Sequence, residues 1–250
     1  MTATYVYGIV GADAELPDDL TGLGPSGKVA MIVHRDVAAI VSDVPGERPL
    51  GTRDDLIAHE TVVDTVATGT AVLPMRFPAV VEEEGIVEEL LAPHHDHFVA
   101  ALADLEGRVQ YTLKGRYEQD VVLREVLEEY PEIAELQAEV RDLPEDATYH
   151  QRLRLGELVV GALEERRDAE AARLVERLEP YAVGVVSHHP GQPDDIVNTA
   201  FLVERERAQE FEDAVEQQGE ELHGRARLRL LGPLAPYDFV PGDELVGDER

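Results

Sequence analysis

The stripe Tyr149, Leu153, Gly156, Val160 and Leu163, spaced at alternating four- and three-residue steps, constrains this chain more than any other feature. Leu174 and Leu178 resume it after a charged break at Arg167. Those steps trace one face of an α-helix. The pattern predicts a helix of about 30 residues, ~45 Å long at the standard rise. Upstream, Arg108 to Arg116 has a strand-like pattern, and acidic helical segments follow at Glu118 to Glu129 and Glu132 to Arg141. Downstream come strand patterns at Tyr181 to Ser187 and Ile196 to Val203, then a helix from Arg205 to Gln218 with Ala208, Phe211 and Val215 inward. In the last strand Arg225, Arg227 and Arg229 alternate with Ala226, Leu228 and Leu230, the two-residue period of a half-buried strand. The order strand, helices, strand, strand, helix, strand is the ferredoxin-like arrangement, with extra helices inserted after its first strand.

The first part of the chain has a different rhythm. Strands are expected at Thr4 to Val10, Lys28 to His34 and Asp36 to Val44, the last two close enough for an antiparallel hairpin turning at Arg35. A capping-box pattern, Thr52 with Asp55 three residues on, opens a helix that carries Leu56, His59, Val63 and Val66 on one face. Ala71 to Phe77 has the composition of a strand, and Pro74, which lacks a ladder donor, pushes it to a sheet edge or a bulge. Short helices are expected at Glu83 to Leu91 and His94 to Leu105, divided at Pro93 and closed by Gly107. The fold class expected is therefore α+β with two domains: an N-terminal mixed α/β domain over residues 1–106, a C-terminal ferredoxin-like domain with inserted helices over 107–240, and a flexible tail over 241–250.

Composition narrows the function. Fifty-two Asp and Glu against 22 Lys and Arg give a formal charge of −30, which repels phosphate backbones, so nucleic acid is an unsuitable partner. Lys28 and Lys114 are the only lysines, and an acidic, lysine-poor surface suits a salt-rich interior as well as a GC-rich genome. The absence of cysteine excludes disulfides, thiolate metal sites and cysteine nucleophiles. No apolar run reaches the roughly 18–20 residues of a membrane span, and no signal peptide opens the chain, so it reads as soluble and unexported.

The histidines offer the residue types for catalysis but little of its spacing. In His94-His95-Asp96-His97, His94 and His97 can share a helix face while His95 points about 100° away, so a metal-dependent hydrolase would need further ligands from His188 or His189. His59-Glu60 lacks the second histidine of a zinc-protease motif, Val63 standing in its place, and is read as a hydrogen-bonded core histidine. Ser187-His188-His189 beside Asp194 and Asp195 is read as a polar hairpin loop turning at Pro190-Gly191 rather than a triad. No catalytic residue, metal ligand or cofactor is assigned. A generic ligand-binding module on the ferredoxin-like scaffold is the other alternative.

Four segments carry a more specific signal: Tyr5-Val6-Tyr7-Gly8-Ile9, His59-Glu60, Val72-Leu73-Pro74-Met75-Arg76-Phe77, and Gly232-Pro233-Leu234-Ala235-Pro236-Tyr237-Asp238-Phe239. In this order and at this spacing they resemble the signature segments of the gas vesicle protein GvpF/GvpL family, over most of the chain. Pro78 departs from the pattern, standing where relatives usually carry glycine. The resemblance implies a minor gas vesicle protein, needed to build the gas-filled shell that gives cells buoyancy, acting by binding rather than turnover. It implies contact with the shell protein GvpA and other accessory Gvp proteins, a cytoplasmic state before assembly and a place on the vesicle afterwards. It gives His59 a structural role. Candidate partner-binding residues are Arg76 and Phe77, the arginine ladder Arg225, Arg227 and Arg229, and the aromatic anchors Tyr237 and Phe239.

Overall fold

A computed structural model describes residues 2–45, 50–81, 85–144, 147–189, 191–192 and 194–240. The expected tail over 241–250 lies outside the described residues, as do the beginning of the segment expected from Glu83 and the turn residue Pro190. The chain is mixed α and β, with two antiparallel sheets. It divides into two compact units, the first made of Met1–Tyr111, Leu202–Glu206 and Gly232–Arg250, the second of Thr112–Phe201 and Arg207–Leu231. The chain thus enters the second unit at Thr112, beyond the Glu106 expected from pattern, and two later segments return to the first.

In the first unit β1 (Thr2–Gly11) is the central strand of a sheet ordered β2 (Ala30–His34), β3 (Val37–Pro45), β1, β4 (Val72–Pro74). The hairpin between β2 and β3 closes with His34 opposite Val37 and with Arg35 in the left-handed region at φ 54°. The far edge of β1 is shared. Gly8, Ile9 and Val10 pair with β4, while Thr4 and Tyr5 pair with the short β5 (Val80–Val81). The expected strand over Ala71 to Phe77 is therefore cut short. Met75 donates its N–H to the Tyr7 carbonyl and Val6 donates to Ala79, both at 2.9 Å, and Arg76 to Pro78 leave the sheet between those two bonds.

Gly8 is required at this crossing, because a Cβ there would stand 2.7 Å from the Leu73 carbonyl oxygen. A register shift between Val6 and Gly8 also changes which face the strand presents. Before it, Tyr5 and Tyr7 face one core and Val6 the other; after it, Ile9 joins Val6 and Val10 joins the tyrosines. Helix α1 (Arg53–Gly69) covers the tyrosine face with Val62, Val63 and Val66. A π-helical turn (Ile86–Leu91) and α2 (His95–Leu105) cover the opposite face with Leu90, Leu91, Phe98 and Leu102. Each face thus buries a separate apolar cluster.

The second unit holds most of a sheet ordered β7 (Gly184–Ser187), β8 (Asp195–Glu204), β6 (Arg108–Tyr117), β9 (Ala226–Leu234). Helix α6 (Ala208–Glu221) buries Phe211 and Val215, with the Phe211 ring 5.2 Å from that of Phe201. Tyr181, expected to begin a strand, instead ends a 3-10 turn from Glu179. Helices α3 (Gln119–Glu129), α4 (Pro131–Arg141) and α5 (Tyr149–Leu178) share a small core of Val126, Ile133 and Ala162, flanked by Leu155, Leu158, Val159 and Leu163.

Helix α5 has the 30 residues expected, and the later part of the expected stripe, Leu163, Leu174 and Leu178, packs inward, but its first part does not. Tyr149 is 65% exposed, and Leu153 and Val160 are each 53% exposed. Steps of three and four from Leu155 through Leu158, Val159 and Ala162 define the buried face. Tyr149, Leu153 and Val160 lie beside that face, in the open.

Candidate functional site

The capping box that opens α1 sets the phase of a site in the first unit. Thr52 Oγ1 accepts from the Asp55 N–H at 3.2 Å, and Asp55 Oδ2 accepts from the Thr52 N–H at 3.1 Å. One turn later Leu56, His59 and Glu60 line a pocket of about 190 Å³, completed by Arg76, Phe77 and Tyr237. Three of the four signature segments supply five of its six residues, and the fourth lies behind it. The His59 ring stacks on Tyr7 with centroids 5.8 Å apart, meets Tyr5 edge-on at 5.7 Å, and lies 5.8 Å from Phe77 and 6.2 Å from Tyr237.

Dense packing controls protonation here. The imidazole is 1% exposed, and burial drives its pKa down from 6.5 to about 4 against a smaller opposing pull from the Met75 backbone. His59 is therefore neutral at pH 7. Its Nδ1 lies 2.9 Å from the Tyr5 hydroxyl and the ring also meets the Met75 backbone, while Nε2, closed to solvent, has no hydrogen-bond partner of good geometry among the described residues. Burial likewise raises the Tyr5 and Tyr237 phenols well above their ordinary range, with the charges of Asp64 and Glu60 adding to the effect on Tyr237. The Tyr237 hydroxyl is buried and likewise has no hydrogen-bond partner among the described residues.

The Tyr237 segment is tied down from two directions. Asp64 on α1 accepts from the Ala235 N–H at 2.9 Å. Its own pKa is raised by burial, with the Ala235 amide opposing. Gln110 donates to Asp238 Oδ2 at 2.6 Å and accepts from the Asp238 N–H at 3.0 Å. Gly232, at φ +143°, lets the chain pass Tyr111, whose Cδ1 would lie 2.6 Å from any Cβ. Tyr237 consequently packs with the α1-side core, and Phe239 with the opposite one. Asp64 was not singled out in the sequence, although it lies on the turn of α1 that follows Glu60.

The arginine ladder has a different environment. Arg225 donates from Nε to Glu125 Oε1 at 2.8 Å, and from one terminal nitrogen to Glu125 Oε2 at 3.1 Å and Glu170 Oε1 at 2.7 Å. These carboxylates hold its pKa far above ordinary arginine. Arg166 adds a second cation 2.6 Å from Glu125, and the Tyr117 hydroxyl donates to Glu170. Arg227 is exposed and pairs with Glu118, and Arg229 is exposed. Of the three, Arg225 is fully engaged within the chain.

The histidine cluster brings no ligand set together. His95, rather than His94 or His97, makes the acidic contacts, with Asp96 at 2.8 Å and Asp36 at 3.3 Å. Among the described residues no group of three or more His, Cys, Asp and Glu could hold a metal ion. Ser187 Oγ lies 3.2 Å from Thr199 Oγ1, an arrangement across two strands. No helix among the described residues is long and apolar enough to cross a membrane.

The central strand, the edge segment and the covering helix of the first sheet all carry signature residues, and the second unit is likewise built of helices on an antiparallel sheet. The sequence profile described as "Gas vesicle synthesis protein GvpL/GvpF" matches residues 3–241, and this chain belongs to that family. It is 36% identical to gas vesicle protein F of Streptomyces sp. (strain CB03234), over 95% of this chain and 99% of that one. It is 31% identical to gas vesicle protein L of the same strain, over 94% and 92%. The crystal structure of GvpF from Anabaena sp. PCC7120 superposes with a TM-score of 0.79 at 25% identity, covering 99% of each chain. The family is one of gas vesicle structural and assembly proteins.

Proposed function

We propose that this protein acts in gas vesicle assembly by binding the shell protein GvpA and other accessory Gvp proteins, in a chaperone-like manner, with no catalytic turnover. The observation that carries this reading is the apolar stripe Tyr149, Leu153 and Val160, held in the open on α5 of a chain with a formal charge of −30. Contiguous exposed apolar surface is a mark of a partner site. Strong net charge keeps such a surface soluble through self-repulsion. A hydrophobic shell subunit held on the stripe is shielded from its own kind until it reaches the growing particle. The protein is cytoplasmic before assembly and vesicle-associated after it.

Arg76, Phe77 and Tyr237 form a second proposed contact region on the α1 side of the first unit, Phe239 is a further candidate on the opposite face, and Arg227 and Arg229 are candidate cations on β9, with Arg225 just before it. The scaffold reading accompanies this function. An N-terminal α+β domain bears the signature pocket, and a C-terminal domain of ferredoxin-like type bears the stripe. In support, the strand order β9-β6-β8-β7 with α6 joining the last two strands is the pattern of a split βαβ pair, and α3 to α5 occupy the first crossover.

The test measures binding of the purified protein to GvpA from the same gene cluster, together with light scattering of GvpA alone and in mixture. Leu153→Glu with Val160→Glu should weaken binding by roughly tenfold or more and abolish the delay in aggregation. Tyr237→Ala with Phe239→Ala, checked for folding, asks the same of the second region. A wild-type protein that neither binds GvpA nor delays its aggregation would sink the proposal.

A further inference from the structure

In the second unit, helix α6 and the outermost strand of the sheet leave a groove that the fold does not fill. β9 pairs with β6 on one side and is the last strand on the other, so its outward backbone groups are a template for a further strand. The groove between α6 and β9 measures about 420 Å³ and is floored by Val215, Gly219, Leu228 and Leu230. Val215 is buried and the two leucines are half-buried. Gly219 stands in the last turn of α6 with an ordinary helical backbone, where glycine costs up to about 1 kcal/mol against alanine. A Cβ at this position would meet nothing within 4 Å. Packing within the chain therefore does not require the glycine, and its effect is to keep the groove open.

The helical wall is acidic. Glu212, Glu216 and Glu220 line the groove at every fourth residue of α6, a row with steps of ~6 Å at the standard rise. Glu216 and Glu220 are exposed and, unlike Glu125 and Glu170, answer no cation among the described residues. An apolar floor under a row of carboxylates suits a side chain with an aliphatic stem and a cationic head, which is lysine or arginine. Alternate side chains of an extended strand share one face at steps of ~6.7 Å, close to the step of the glutamate row. A second copy of this chain does not fit. Two β9 edges paired about a two-fold axis would bring the glutamate rows of both copies together on one face, and Arg227 and Arg229 of both on the other.

We propose that the edge of β9 and the α6 groove bind an extended segment of a partner protein that carries lysine or arginine at alternate positions, added as a fifth strand to this sheet. The backbone of the segment pairs with β9. Its basic side chains lay their stems over Leu228, Leu230 and Gly219 and place their heads at Glu216 and Glu220. This surface is separate from the exposed stripe of α5 and stands whether or not that stripe holds the shell protein.

The experiment titrates the full chain with two fluorescent, end-blocked peptides of about eight residues. In one, arginine alternates with threonine; in the other, the same arginines all precede the threonines. Both carry the same charge, so general attraction to a chain of charge −30 is common to them. The alternating peptide should bind roughly tenfold tighter and slow hydrogen exchange of the β9 amides, which the other should leave unchanged. Gly219→Leu fills the groove without altering charge and introduces a better helix former, so its melting temperature should hold or rise while affinity for the alternating peptide falls roughly fivefold or more. Glu216→Gln with Glu220→Gln should lower affinity by a similar factor and flatten its dependence on salt. Equal binding of the two peptides, binding that leaves β9 exchange unchanged, undiminished binding by folded Gly219→Leu, or no binding at all would each overturn the assignment.

Discussion

Around His59 polar groups are buried, neutral and partly unused, whereas around Arg225 they are charged, close together and fully committed to one another. Both are assembled from segments distant in sequence. In the first unit, burial pushes the His59 imidazole down to about 4 and the Tyr237 phenol up, so these rings are neutral at pH 7 although Glu60 and Arg76 stand at the pocket's edge. In the second, Arg225 sits between Glu125 and Glu170, Arg166 reaches Glu125, and Tyr117 donates to Glu170. Removing one member of such a network strands the charges left behind. Buried neutral groups instead hold their place through aromatic packing and a single hydrogen bond between His59 and Tyr5. The difference separates a region ordered by aromatic packing from one ordered by ion pairs.

The largest expected effect comes from acid on the His59 side. The unfolded imidazole takes a proton near its ordinary value of 6.5, and the folded one only near 4. The folded-state value is depressed, so the contribution is fully present above pH 6.5 and is lost as pH falls through about 4. The loss amounts to about 3 kcal/mol, at 1.36 kcal/mol for each pH unit between the two values. His59→Gln does not titrate. Urea unfolding of wild type and variant at pH 7.5 and pH 4 should show the gap between them shrinking by that amount, and a pH-independent gap would mean that the ring is hydrated and the contrast is false.

Arg225→Met should come next. Removing the guanidinium leaves Glu125 and Glu170 facing each other, and a fully buried pair broken in this way costs ~3–5 kcal/mol. With the Arg225 side chain 32% exposed, about 2 kcal/mol is expected, concentrated in faster hydrogen exchange of α3 and β9 amides. Exchange unchanged there would reduce the network to ordinary surface pairs.

The two regions also differ in how far the amino-acid sequence disclosed them. Features written in neighbouring residues were legible: the Thr52 and Asp55 capping box, the turn at Arg35, the positive φ of Gly107, and the length of α5. The packing face of α5 was not. Tyr149, Leu153 and Val160 form as good a stripe as Leu158, Val159 and Ala162 one position away, and only α3 and α4 decide between them. The signature segments could each be picked out, but their meeting around His59 depends on β4 and β5 sharing one edge of β1 and on Asp64 and Gln110 tethering the 232–239 segment. The arginine ladder was read correctly as period two, yet nothing local reveals that Glu125 and Glu170, on two different helices, claim Arg225.

The smallest effect gives the sharpest contrast, because it makes the same chemical change in both regions. Tyr117→Phe removes a hydroxyl that donates to Glu170 and leaves that carboxylate, 12% exposed, with Arg225 alone, so about 1–2 kcal/mol should be lost. Tyr237→Phe removes a hydroxyl with no protein partner, so stability should stay within ~0.5 kcal/mol of wild type or rise. Parallel denaturant titrations of the two variants test this directly. A loss at Tyr237 as large as that at Tyr117 would show that water already satisfies the pocket as well as Glu170 satisfies Tyr117. Neutrality at Tyr237 with a loss at Tyr117 shows that the hydroxyl of the signature segment adds nothing to folding, so Tyr237 is held there by its ring, against His59 and Tyr5, rather than by a hydrogen bond.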